Sequence, residues 1–210
     1  MSTEDKATET VKKRYNRIAP LYDRMEGLVE RSRYSKWRGL LWSKVEGTCI
    51  LEVGVGTGKN FPYYPAGAEI TAIDFSEKML ERAERKTSEQ KVNVHLQQMD
   101  IQKLDFSNNS FNSVVSSFVL CSVPDPVRGL EEVKRVCKAG GKVVLLEHVL
   151  SANRVAGWLM NLVNPLAVRI MGENINRRTV DNVGKSGLQV EQVTELAFGI
   201  FKLIEARKKT

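Results

Sequence analysis

The chain holds 210 residues, 42% of them hydrophobic, and its 32 Lys and Arg against 25 Asp and Glu give a formal charge of +7. That length suits one well-buried domain, since domains run to about 100–200 residues. With no run of about 18 apolar residues and a polar opening, MSTEDKATETVKKR, the expectation is a cytoplasmic protein with neither membrane span nor secretory signal. Cys49, Cys121 and Cys137 lack metal-like spacing and the two histidines lie far apart, so free thiols and no metal site are expected.

Helical periodicity opens the chain, over 8–19, a short 21–27 and 33–46, where Tyr34, Trp37, Leu40, Leu41 and Val45 recur at helical spacing. Residues 12–38 hold nine basic side chains against three acids. Two readings stand for that excess: a solvated helical face, or contact with an anionic membrane, worth about 1 kcal/mol per Lys or Arg. Nucleic acid is not expected, because no aromatic RNA-binding stretch, zinc finger or recognition helix accompanies the charge.

From residue 48 the pattern alternates strands and helices. TCILEV and AEITAID read as buried strands; Ser76 then caps a helix, SEKMLERAERKTSE, with Met79, Leu80 and Ala83 on its inner face. VNVHLQQ and FNSVVSSFVL are further strands, and a helix over 126–138 leads through the turn AGG to a fifth strand, KVVLLEHVL. Strands apolar on both faces predict a doubly wound α/β domain with a mostly parallel sheet. An insertion over 151–175 carries Val155, Trp158, Leu159, Leu162 and Val163 on one helical face, and a last helix spans 176–186. LQVEQVTELA and FKLIEARK alternate apolar and polar across Gly199, which predicts an antiparallel hairpin at the sheet edge. Residues 1–46 read as a helical cap belonging to the same domain as 47–210.

The stretch ILEVGVGTGKNF places Gly54, Gly56 and Gly58 after the first strand. A dinucleotide fingerprint needs its third glycine one position later, where this chain has Lys59. The tight turn still lets a ligand approach the backbone, and it suits a compact ligand without a diphosphate. Asp74 ends the second strand, 20 residues beyond Gly54, where a carboxylate can accept from both hydroxyls of a ribose. Asp100 follows the third strand, placed to receive an adenine amino group while Ile101 covers the ring, and Glu52 adjoins the glycine turn. Jointly these acids outline a nucleoside pocket at the carboxyl ends of the strands.

The sequence resembles the class I S-adenosylmethionine-dependent methyltransferases over nearly its whole length. LEVGVGTG is similar to their first motif, AIDFSEKML to their ribose loop, QQMDIQKL to their adenine turn, FNSVVSSFVLCSVPDP to their fourth motif and KAGGKVVLLEHV to their fifth strand. RYNRIAPLYDRM resembles the opening shared by quinone C-methyltransferases and bacterial phosphatidylethanolamine N-methyltransferases, and LCSV, EHV and NINRRTV resemble a branch acting on alkyl thiols. The resemblance implies a seven-stranded Rossmann-like sheet with a reversed terminal strand. It also implies S-adenosylmethionine as cofactor, leaving as S-adenosylhomocysteine. Gly54, Gly56 and Gly58 would line the methionine part, Asp74 and Phe75 the ribose side, Asp100 and Ile101 the adenine, and Ser117 the amino group. Met79 could touch adenine, and Tyr15 and Tyr22 could close over the cofactor or pack the N-terminal helix.

Methyl transfer by in-line displacement needs positioning and no covalent enzyme residue. An amine acceptor must first lose a proton, and the candidates are His148, Glu147, Tyr15 and Tyr22, with His148 foremost for its near-neutral titration; mid-strand His95 reads as structural. The basic N-terminal helices and the apolar insertion suit a lipid-like acceptor or the membrane holding it, on the inner face. Phosphatidylethanolamine is expected ahead of a prenylated quinone and a small thiol. Two other classes stand beside it, a nicotinamide oxidoreductase, which Lys59 disfavours, and a non-catalytic sheet module recruited to membranes. The oligomeric state is left open.

Overall fold

A computed structural model of the chain describes residues 8–17, 19, 33–170 and 172–209. The expected helix over 21–27 and Tyr22 lie outside the described residues.

A first helix, α1, covers 8–17. It is followed by α2 (Ser35–Trp42), β1 (Cys49–Val53), a single 3-10 turn (Phe61–Tyr63), β2 (Glu69–Asp74), α3 (Glu77–Gln90), β3 (His95–Gln98) and β4 (Phe111–Ser117). Then come α4 (Pro126–Val136), β5 (Cys137–His148), α5 (Arg154–Ile170), α6 (Thr179–Lys185) and the hairpin β6 (Gln189–Ala197) and β7 (Phe201–Arg207). The seven strands order as β3-β2-β1-β4-β5-β7-β6, all parallel up to β5, with β7 antiparallel between β5 and β6. This is the expected doubly wound sheet with a reversed terminal strand, β7, hairpinned to β6 at the edge.

Alternate strand residues feed cores on opposite faces of the sheet. Leu51, Val53, Ile73, Val114 and Leu145 pack with Leu130 and Val133 of α4 and Val183 of α6. Ile50, Val115, Val144 and Leu146 pack with Leu41 and Trp42 of α2, and Ala72 with Leu80 and Ala83 of α3. Helices α3 and α4 begin where the chain supplies a side-chain acceptor for their first N–H groups. The Ser76 hydroxyl accepts from Met79 N–H at 3.3 Å, and the Asp125 carboxylate accepts from Val127 and Arg128 N–H at 3.0 and 3.1 Å ahead of Pro126.

Several boundaries differ from the sequence expectation. α2 stops at Trp42, short of residue 46, and β4 at Ser117, short of residue 120. Ala139–Gly141, expected as a turn, fall within β5 yet keep turn geometry: Gly140 has a φ of +69°, and the pairing with β4 jumps from Cys137 opposite Phe111 to Lys142 opposite Ser113. The partners of this bulge are distant in sequence: Gly140 N–H donates to the Lys208 carbonyl at 3.0 Å, and Arg207 Nη1 donates to the Gly140 carbonyl at 2.9 Å.

Candidate active site

The sheet order reverses between β1 and β4, and the crevice opens above their carboxyl ends. Beyond Val53 the chain folds over β2, and Gly54 and Val55 N–H donate to the Ile73 carbonyl at 2.8 and 3.0 Å. Gly54 admits no side chain, because its φ is +72° and a Cβ would fall 2.1 Å from Val119 Cγ2. Gly56 N–H donates to Asp74 Oδ2 at 2.9 Å, and Ser76 N–H to Oδ1 at 2.9 Å. The carboxylate is therefore fixed at the end of β2. Burial pushes its pKa up to about 6 in spite of these N–H donors.

Two adjoining hollows share Gly54, Asp74, Phe75, Val119 and Ser122. The first is a slot walled by Val53, Ile73, Ile101, Val119, Val123 and Pro124, edged by Asp74 and Asp100 and covered by Thr8 and Val11 of α1. The second is bounded by Tyr15, Gly56, Met79, Ser117 and Phe118. Helix α1 is tied over both: Tyr15 meets the Phe75 ring edge-on at 5.5 Å, Ser76 Oγ donates to Asn16 Oδ1 at 2.6 Å, and Gln102 Nε2 donates to Thr8 Oγ1 at 3.1 Å. Gln102 also donates to Asp100 Oδ2 at 3.0 Å and accepts from Asp125 N–H at 2.9 Å. One amide thus ties α1, the β3 loop and the start of α4 together.

Glu52 and Gly58, expected against the cofactor, line neither hollow. Gly58 turns onto the ring of Phe61, which occupies the space a side chain would need. Glu52 is fully buried on the α2 face, where it accepts from Asn60 Nδ2 at 2.5 Å and from the Tyr64 hydroxyl. Asn60 Nδ2 also donates to Ser117 Oγ at 3.0 Å, and the buried Arg38 donates to Asn60 Oδ1 at 3.0 Å and Ser117 Oγ at 2.9 Å. Burial raises the Glu52 pKa, with Tyr64, Asn60 and Arg38 opposing it. This network supports the glycine turn from beneath and fixes Ser117 at the floor of the second hollow.

At the end of β5 successive side chains point to opposite faces. His148, expected at the acceptor pocket, lines neither hollow. It points to the α2 face, edge-on to Phe201 at 5.2 Å, and burial lowers its pKa. Glu147 points to the other face and is fully buried. Its Oε1 accepts from Val119 and Leu120 N–H at 3.1 and 3.3 Å, while Oε2 is buried without a partner among the described residues. Burial, reinforced by the charge of Glu173, pushes its pKa up to about 7. The Tyr15 hydroxyl donates to Glu173 Oε1 at 2.9 Å. The same two carboxylates and burial raise the Cys121 thiol well above its ordinary value.

Residues 51–145 match the family model described as a methyltransferase domain. The chain is 39% identical over 142 residues to a phosphatidylethanolamine N-methyltransferase of Cereibacter sphaeroides, spanning 67% of this chain and 68% of that protein. The chain belongs to the S-adenosylmethionine-dependent methyltransferases. This methyltransferase is also 37% identical over 147 residues to a demethylmenaquinone methyltransferase of Staphylococcus aureus, covering 66% of its own length but only 60% of that relative's. Its fold matches that of an S-adenosylmethionine-dependent methyltransferase of Thermotoga maritima with a TM-score of 0.70 at 22% identity, over 94% of this chain and 99% of the other.

The geometry fits the donor. A Cβ added at Gly56 would meet nothing within 4 Å, so the turn faces open space at the mouth of the second hollow. The first hollow pairs apolar walls with two carboxylates at its edge, which matches a flat base attached to a ribose. S-adenosylmethionine supplies a methyl carbon made electrophilic by its sulfonium. The methyltransferase binds, orients and shields the reacting groups.

Proposed function

We propose that Asp74 accepts the ribose hydroxyls, with Phe75 and Met79 alongside, that Asp100 and Ile101 hold adenine in the first hollow, and that Gly54, Gly56 and Ser117 border the methionine end in the second. The acceptor then approaches from the side of Tyr15 and Glu173.

We infer that the acceptor is the amine of a phospholipid headgroup of the phosphatidylethanolamine class. The observation carrying this reading is the bond from Tyr15, which lines the second hollow, to Glu173, whose charge also acts on Glu147, fully buried and lining neither hollow. Carboxylates stabilise an incoming ammonium by charge and by accepting its N–H bonds. A lipid ammonium titrates near 10, as lysine does, so it must lose a proton before its nitrogen can attack. Glu147, with a pKa near 7, supplies an acceptor poised at neutral pH. The nitrogen lone pair then forms the new bond to carbon as the carbon–sulfur bond breaks. The relationship to a phosphatidylethanolamine N-methyltransferase supports the same class.

The test is incubation with labelled donor and vesicles carrying phosphatidylethanolamine, beside a demethylated prenyl quinol and an alkyl thiol, with products read by mass. Monomethylated phosphatidylethanolamine is the expected product. Label in the quinol or the thiol but not in the phospholipid would overturn the reading.

A further inference from the structure

Helix α5 wears its amphipathicity inside out. Val155, Trp158, Leu159, Leu162, Val163 and Leu166 form one stripe at helical spacing, and they are 69, 62, 48, 63, 47 and 57% exposed. The opposite face, turned to the protein, mixes Gly157 and asparagines with Met160, Ala167 and Val168, which are less exposed than the stripe. Gly157 lies so close to the chain that a Cβ would come 2.9 Å from the Ser151 carbonyl. Asn164 accepts from Ile175 N–H at 2.9 Å, Asn176 Nδ2 donates to Asn161 Oδ1 at 2.9 Å, and Arg14 of α1 donates to the Val168 carbonyl at 2.9 Å. These bonds fix the rotation of the helix about its axis. Turning the apolar stripe inward would break them all.

We propose that α5 lies in the interface of an anionic membrane, with this stripe among the acyl chains and the crevice facing the lipid surface. Charge complementarity selects the occupant. Residues 150–172 contain no Asp or Glu, and Arg154 and Arg169 stand exposed at the two ends of the stripe. A helix with Trp and Leu on one face and flanking arginines matches an interfacial anchor. A second exposed apolar group sits at the same end of the sheet: Phe198, at the tip of the β6–β7 hairpin, is 76% exposed with the Arg33 guanidinium 5.3 Å from its ring centre. The tip adjoins the start of the segment leading to α5, since Val149 N–H donates to the Ile200 carbonyl at 2.7 Å.

This assignment moves the membrane contact away from a simple basic face over residues 12–38. Arg38 is buried in the polar network, Arg14 is spent on α5, and Arg24 and Arg31 lie outside the described residues. Arg154 and Arg169 flank the apolar stripe instead, and Arg33 lies over Phe198. At 17 residues α5 is too short to cross a bilayer, and among the described residues no helix is long and apolar enough to do so. The helix therefore lies along the surface.

The inference rests on the membrane-lipid reading of the acceptor only for its purpose, and binding tests it separately. Flotation of the full chain with phosphatidylglycerol-containing vesicles is compared with vesicles of phosphatidylcholine alone, for wild type and for W158S/L162D. Wild type is expected to float with the anionic vesicles and the double variant to lose roughly tenfold or more in affinity. S-adenosylhomocysteine affinity should be unchanged, which certifies the fold. Brominated acyl chains should quench wild-type tryptophan emission but not that of W158F, which reports insertion of this side chain. The proposal is overturned if the double variant floats as wild type does, or if wild type stays in solution as a dimer that the double variant splits, which would make a second copy the occupant. Vesicle binding lost as expected, with no lipid methylated by wild type, would refute the acceptor reading and leave this one standing.

Discussion

Replacing Asp74 with Asn separates what this carboxylate costs the fold from what it gives the ligand. Burial moves it from 3.8 to about 6, so holding it ionised at neutral pH costs about 3 kcal/mol at roughly 1.4 kcal/mol per pH unit. Asn removes that cost but accepts from only one of the two N–H donors, Gly56 and Ser76, and leaving the other unmatched costs about 1–3 kcal/mol. The variant should thus be as stable as wild type at about pH 8, or up to about 2 kcal/mol more stable. The sign with pH follows from the folded value lying above the unfolded one. The stability Asp74 contributes is fully present below about pH 4 and is lost as the pH rises through about 6. Urea unfolding across that range should show this component in wild type and not in D74N. Cofactor affinity should move the other way. The ribose hydroxyls lose a charged acceptor, and S-adenosylhomocysteine binding should fall about 10- to 100-fold by calorimetry. In wild type the same affinity should decline below about pH 6, as the carboxylate protonates. A D74N protein more than about 1 kcal/mol less stable at pH 8, or one with unchanged cofactor affinity, would refute the reasoning.

The glycines of the turn should separate by role in thermal melts and cofactor titration. G54A pairs a positive φ with a 2.1 Å clash against Val119 and should cost about 2–5 kcal/mol, whereas G56A faces open space and should cost only about 1–2 kcal/mol while lowering S-adenosylhomocysteine affinity at least roughly tenfold. E147Q should remove the part of wild-type stability that fades from about pH 4.5 to 7, seen in urea unfolding at both ends of that range. The same change should erase an acidic limb near pH 7 in the methyl-transfer profile. Y15F deletes the hydroxyl bonded to Glu173 and should cost about 1 kcal/mol of stability, with kcat for the lipid falling while the KM for the donor stays within about twofold.

The sheet and the crevice edge with its glycine turn were legible because short-range signals agree there. Strand periodicity, the glycine turn and the acids ending β2 and following β3 all lie within about one crossover of each other, and local pattern fixes their placement. Long-range pairing decides the rest. Ala139–Gly141 keep the turn-like backbone their glycines favour, with Gly140 at a φ of +69°, yet they lie inside β5 because residues 207 and 208 bond to them. Arg38 sits in a basic run that reads as solvated, yet it is buried by Asn60 and Ser117, 22 and 79 residues away. Glu173 carries no local signal at all and joins the site through Tyr15, 158 residues earlier. For α5 the periodicity found the stripe, but no periodicity says which side of a helix faces the protein. That was decided by Asn161, Asn164 and Gly157, the small and polar residues between the apolar ones.

Three strands end in a buried acid: Glu52 on β1, Asp74 on β2 and Glu147 on β5, and burial raises the pKa of each. Residue type and position alone would give all three the same role. Their partners tell them apart. Glu52 has a hydrogen-bond donor on each oxygen, Asn60 and Tyr64, with Arg38 nearby, so its cost is offset inside the protein and it serves the turn. Asp74 receives backbone N–H donors on both oxygens and lines both hollows, which is why the proposed ribose contact falls to it. Glu147 is satisfied on Oε1 and bare on Oε2 among the described residues, a state that favours taking up a proton near neutrality. The sequence places a carboxylate at or next to each strand end, and the proposed roles of scaffold, cofactor ligand and proton acceptor rest on the degree to which the fold leaves each one unsatisfied.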